Sequence, residues 1–96
     1  IGDLVCHTRQ NYRGVVIDID DHFALDEDWY DRVAQSRPPK DKPWYRVLVH
    51  GTSDATYVAE RHLKPDTLAT PINHPLVDEF FDAFARDHYE RQTDLN

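Results

Sequence analysis

Apolar and polar positions alternate most cleanly from Pro43 to His50, a run of strand-forming aromatics and valines bounded by proline before and Gly51 after. Alternation sets Trp44, Arg46, Leu48 and His50 on one face and Tyr45, Val47 and Val49 on the other. Arg46 interrupts the first set, so the second is the expected core face, buried with Val15, Ile17 and Val58. Similar alternation predicts strands at about 4–8, 12–20 and 55–59. Gln10-Asn11 is a turn signal that makes the first two a hairpin, and Gly14 suggests a bulge or sharp bend. Glu60 to Leu63 reads as one helical turn stopped at Lys64-Pro65.

Two stretches break the pattern. Residues 21–43 hold Pro38-Pro39 and no alternation, but Trp29, Tyr30, Val33 and Ala34 have helical spacing. An insertion with one short helix, capped by Asp26 or Asp28, is expected there. It is expected to be the most mobile internal segment outside that helix. Beyond a linker at 66–72, Val77, Phe80, Phe81, Phe84 and His88 predict an amphipathic helix near 75–90, with Pro75 in its first turn. Asp82–Arg86 and Asp87–Arg91 fit i,i+4 pairs on its polar side. Gln92 to Asn96 are expected to fray. The expected fold is mainly β, a small SH3-like half-open antiparallel barrel over 1–65 carrying the insertion, followed by the linker and C-terminal helix of 66–96.

With 96 residues, 30% of them charged, the chain allows one modest core. Net charge is −7, with 18 acids against 11 Lys and Arg, which argues against a general phosphate-binding surface. The acid is concentrated in 17–43 and 66–96, and the strand segments are near neutral. Cys6 is the lone cysteine, so no intrachain disulfide forms, and a cytoplasmic location is expected. No apolar run reaches membrane-spanning length.

Catalytic chemistry finds little footing. His7, His22, His50, His62, His74 and His88 form neither an HxxxH nor an HExxH pattern, and one cysteine builds no zinc framework. Asp18, Asp20 and Asp21 lack an EF-hand's glycine and closing glutamate. Cys6 and His7 are neighbours on a strand and point to opposite faces, so they share no proton. No nucleophile elbow or glycine-rich phosphate loop is present. The expectation is a non-enzyme with no cofactor and no metal. Two surfaces remain as candidates. Trp29, Trp44, Phe80, Phe81 and Phe84 offer aromatic area for a protein partner or a second subunit. Arg9, Arg13, Arg46, Arg61 and Lys64 could converge on one barrel side and meet duplex DNA.

The blocks Gly2-Asp3-Leu4-Val5-Cys6-His7, Tyr12-Arg13-Gly14-Val15-Val16, Pro43-Trp44-Tyr45-Arg46-Val47-Leu48-Val49 and Tyr57-Val58-Ala59-Glu60-Arg61-His62-Leu63 resemble the HspQ (YccV-like) family, the hemimethylated DNA-binding domain. The resemblance covers residues 2–63. It implies a small β-barrel without catalytic activity and two roles. One is binding of hemimethylated DNA near a bacterial replication origin. The other is that of a heat-shock factor in regulated proteolysis, acting on a Lon-type ATP-dependent protease or its substrates. The domain's recurrence in an F-box protein of ubiquitin ligation points the same way. Most matched residues are core or turn positions, so the resemblance speaks to fold more than to site. Charge favours the protein-partner role, with weak duplex DNA binding second, and leaves a homo-oligomer open.

Overall fold

A computed structural model describes residues 1–34 and 36–91, so the expected fraying of 92–96 lies outside the described residues. Four strands fall where alternation places them: β1 Leu4–His7, β2 Arg13–Asp20, β3 Trp44–Val49 and β4 Ala55–Ala59. They form an antiparallel meander, and β5, Leu63–Pro65, returns to pair with β1, giving the order β4-β3-β2-β1-β5. A 3-10 turn at Glu60–His62 joins the two edge strands. This is a mainly β, barrel-like fold in which β4 and β5 do not pair with each other. The β1–β2 turn bends through Asn11 in the left-handed region, φ 58°, a conformation asparagine tolerates.

β3 lies inside the sheet, between β4 and β2, and has buried residues on both faces. Val47 packs with Val5, Val16 and Val58, as expected of the Tyr45 face. Leu48, on the other face, packs with Leu4 and Val15, and Trp44 is also buried. The expectation of one core face is therefore corrected. Tyr45 is only half-buried because its hydroxyl reaches out to donate to Glu60, 2.7 Å. Arg46 is accommodated with its guanidinium over the Tyr57 ring at 4.9 Å. Ile17, expected in the core, is the extra residue where the β2–β3 register shifts between Val16 and Asp18, and it is half-buried. The bulge thus lies three residues past Gly14. Gly14 serves close approach instead, since a Cβ there would sit 2.5 Å from the Leu48 carbonyl oxygen and 2.4 Å from Val47 Cγ1.

The tail departs most from expectation. Its helix is the single turn α2, Val77–Phe80, and residues beyond it form a hairpin, β6 Ala83–Ala85 with β7 His88–Glu90. Phe81 is already extended, and Arg86 turns the hairpin at φ 63°. The anticipated i,i+4 geometry is therefore absent, and Arg91 donates to the Phe80 carbonyl instead. The competing attraction is the N-terminal segment. Tyr89 N–H donates to the Gly2 carbonyl at 2.8 Å, and Asp3 bridges His88. Gly2, at φ 90°, makes room for this, since a Cβ would meet the Tyr89 carbonyl at 2.2 Å. Ile72, Val77, Phe81 and Tyr89 then cover the Leu4–Val15–Leu48 face of the sheet. Four tail residues therefore join the core, and the amphipathic helix expected near 75–90 is replaced by α2 and the hairpin.

Candidate partner-binding groove

The insertion folds onto the sheet through aromatic side chains. Its helix α1, Glu27–Val33, starts at Asp26, whose carboxylate accepts the Trp29 N–H at 2.8 Å. Trp44 anchors the assembly, with its indole N–H donating to the Pro39 carbonyl at 3.1 Å. Phe23 meets Trp44 edge-on at 5.0 Å, and Tyr57 stacks on it at 5.3 Å. Trp29 stands edge-on to both Trp44 and Tyr57. The Tyr57 hydroxyl donates to Asp20 at 2.7 Å and accepts the Ala24 N–H at 3.1 Å. Burial and the Asp20 carboxylate push this phenol up to about 12, so it stays protonated and keeps donating.

An open groove of about 1000 Å³ runs along the whole of β4. Apolar walls come from Leu25, Trp29 and Val33 of the insertion and from Leu76 and Phe80 of the tail. Val33 is 54% exposed and Leu76 42%, unusually bare for aliphatic residues lining one concavity. Among its described lining residues there is no Asp or Glu, whereas Arg9, Arg46, His7 and His62 all contribute. Carboxylates stand just outside this lining, Asp18 3.9 Å from Arg46 and Asp20 bonded to the Tyr57 hydroxyl.

The aromatic candidates divide. Trp44, 2% exposed although it borders the groove, and Phe81, 4% exposed and stacked on Tyr89 at 5.2 Å, are core residues. Trp29 and Phe80 are half-buried and line the groove. Phe84 is half-buried against Tyr89, outside it. Helical spacing linked Phe80, Phe81 and Phe84; without that helix they still meet one core cluster, Phe81 inside it and Phe80 and Phe84 packed against it.

The basic candidates divide as well. Arg13 is spent inside the fold, its guanidinium bonded to Asp66 at 2.8 Å and to the Thr70 carbonyl at 2.6 Å. Burial raises the Asp66 carboxyl, but the Arg13 bond, the Leu68 N–H and the Cys6 thiol outweigh it and hold the group below its ordinary value. Arg46 lies 3.9 Å from Asp18. Arg61 donates to the Ser36 carbonyl at 2.9 Å. Lys64 is exposed on β5, and Arg9 is exposed in the β1–β2 turn. Arg9 and Arg61 both lie near His62, which stacks on His7 at 5.7 Å. Burial first, then neighbouring charge, lowers both imidazoles below their ordinary value. Arg13 and Lys64 likewise share the neighbourhood of Cys6, while Arg46 lies on β3 beside Asp18.

Tyr57, Leu25, Val33 and Leu76 are groove residues that sequence reasoning passed over. No local signal marks them, because they become neighbours only when the insertion and tail fold back on β4. Among the described residues no group of side chains is arranged to hold a metal ion, and no helix is long and apolar enough to cross a membrane. Residues 1–88 match the family model described as hemimethylated DNA-binding protein YccV like, extending past residue 63 into the hairpin. No solved structure matches the chain.

Proposed function

The chain belongs to the YccV-like family, and from that premise we propose that it is a non-enzymatic, cytoplasmic regulatory module that works by holding a protein segment. In this reading it modulates regulated proteolysis, binding a Lon-type ATP-dependent protease or the substrates of one. The observation that carries the reading is the groove along β4, with bare Val33 and Leu76 in its walls and no acidic side chain among its described lining residues. A concavity of this size with bare aliphatic side chains in its walls offers places to hold a partner's side chains. The test is degradation of a defined substrate by a purified Lon-type protease, with and without the chain. Acceleration is expected, and Val33→Asp and Leu76→Asp should remain folded while losing it. Unchanged degradation, together with no direct binding to protease or substrate, would overturn the proposal.

Recognition of hemimethylated duplex DNA is the second reading, favoured by the description of the matched family model. It ranks lower because a duplex site needs clustered free cations. Here Arg13 is held by Asp66 and Arg46 lies near Asp18, while Arg9, Arg61 and Lys64 face a net charge of −7. Duplex binding should be weak and collapse with added salt. Tight, methylation-sensitive binding at physiological ionic strength would reverse the ranking.

A further inference from the structure

The groove has a floor with directional chemistry. In the β3–β4 ladder, Val49 N–H donates to the Asp54 carbonyl at 3.1 Å, and Glu60 N–H donates to the Pro43 carbonyl at 3.0 Å. With the register Tyr45↔Val58 and Val47↔Thr56, these two bonds fix the phase of the antiparallel ladder. Thr56 and Val58 turn their backbone groups toward β3. Ala55, Tyr57 and Ala59 turn theirs outward. β4 stands at the end of the sheet, and among the described residues no strand pairs with its outer edge. The Ala59 end is covered, since Ala59 is buried against Ala34. The open part of the edge is Ala55 to Tyr57, beside Arg46.

We propose that an extended peptide segment carrying alternating apolar and acidic side chains adds to this edge as a further strand. The inference rests on the reading of the chain as a protein-binding module and names that ligand's chemistry. Outward N–H and C=O groups supply strand pairing, which carries affinity without side-chain identity. The apolar walls take every second side chain, and Arg9, with a lesser share from Arg46 beside Asp18, attracts carboxylates. A second copy of this chain is the poorer occupant, because it brings its whole net charge of −7, whereas a short peptide brings a few carboxylates set opposite Arg9.

Fluorescence anisotropy tests this with labelled peptides of alternating Val or Phe with Asp or Glu. Controls are the same peptide with Lys for each acid, the acidic peptide N-methylated at alternate amides, and a single-stranded oligonucleotide of similar length. The acidic peptide should bind, with the Lys and N-methylated forms at least about tenfold weaker. Ala55→Pro removes one outward N–H and no bond to β3, so it should weaken binding comparably while an NMR spectrum confirms the fold. Arg46→Glu and Arg9→Glu should shift preference toward the Lys peptide. Equal binding of the N-methylated peptide, tighter binding of the oligonucleotide, or an Ala55→Pro-sensitive dimer in sedimentation would overturn the inference. Protease stimulation that persists when no peptide binds would sink this inference and leave the proteolytic role standing. Peptide binding without any effect on proteolysis would do the reverse.

Discussion

Tyr89→Phe isolates the contact that fastens the hairpin to the rest of the chain. The Tyr89 hydroxyl accepts the Ile72 N–H at 2.8 Å and donates to the Ile72 carbonyl at 3.3 Å, both at buried positions. The ring stays in place against Phe81 and Phe84 when the oxygen is removed, so packing changes little. What changes is satisfaction of the Ile72 backbone. A buried donor stripped of its partner costs about 1–3 kcal/mol, against the ~1 kcal/mol that an ordinary hydrogen bond contributes. The 3.3 Å bond is the weaker of the two, so the expected loss is about 2 kcal/mol. For a domain of this size each kcal/mol moves the melting temperature by about 4–8 °C. Calorimetry should therefore show a drop of roughly 8–16 °C, with an unchanged denaturant m-value because the exposed surface is the same. A drop below about 2 °C would show that the Ile72 backbone finds another partner. The hairpin would then be held by side-chain packing rather than by this hydroxyl.

Three further outcomes are expected. Gly14→Ala should destabilise by about 1–3 kcal/mol or prevent folding, because the new methyl meets the Leu48 carbonyl at 2.5 Å; chemical denaturation that matches the parent would remove the close-approach argument. Phe81→Asp should unfold the protein by circular dichroism, while Phe80→Asp should leave it folded and impair partner capture, since the first ring is core and the second lines the groove; a folded Phe81→Asp chain would return that ring to the surface. Stability should fall as pH drops below the ordinary histidine value of 6.5, because His7 and His62 are lowered in the fold and the unfolded chain takes up protons first; Asp66, held below 3.8 with the stabilisation present above that value, adds a second loss in acid. His88, raised by Asp87 and Glu90, works in the opposite direction, so the measurement is made in a His88→Gln chain, where melting temperatures flat between pH 7.5 and 5.5 would contradict the histidine assignment.

The sequence by itself determined the four meander strands, a helix started by Asp26 or Asp28, of which the structure uses Asp26, and the turns at Asn11 and Gly51. Each is a local preference that the final fold does not oppose, since alternation, a capping carboxylate and a left-handed residue act within a few positions of themselves. Tertiary structure decided the rest. Val77, Phe80, Phe81 and Phe84 keep helical spacing, and the fold overrides it after one turn. Gly2 and Asp3, far away in the chain, settle the choice by offering backbone partners to β7. Leu48 and Trp44 read as the lesser face of β3 until the tail and the insertion arrive to cover them. The groove is the extreme case. It exists because β5 pairs with β1 and not with β4, leaving one edge open between two segments that flank it only in space. Strand periodicity fixes which way a side chain faces; which edge stays unpaired is set by non-local closure of the sheet, which no window along the chain contains.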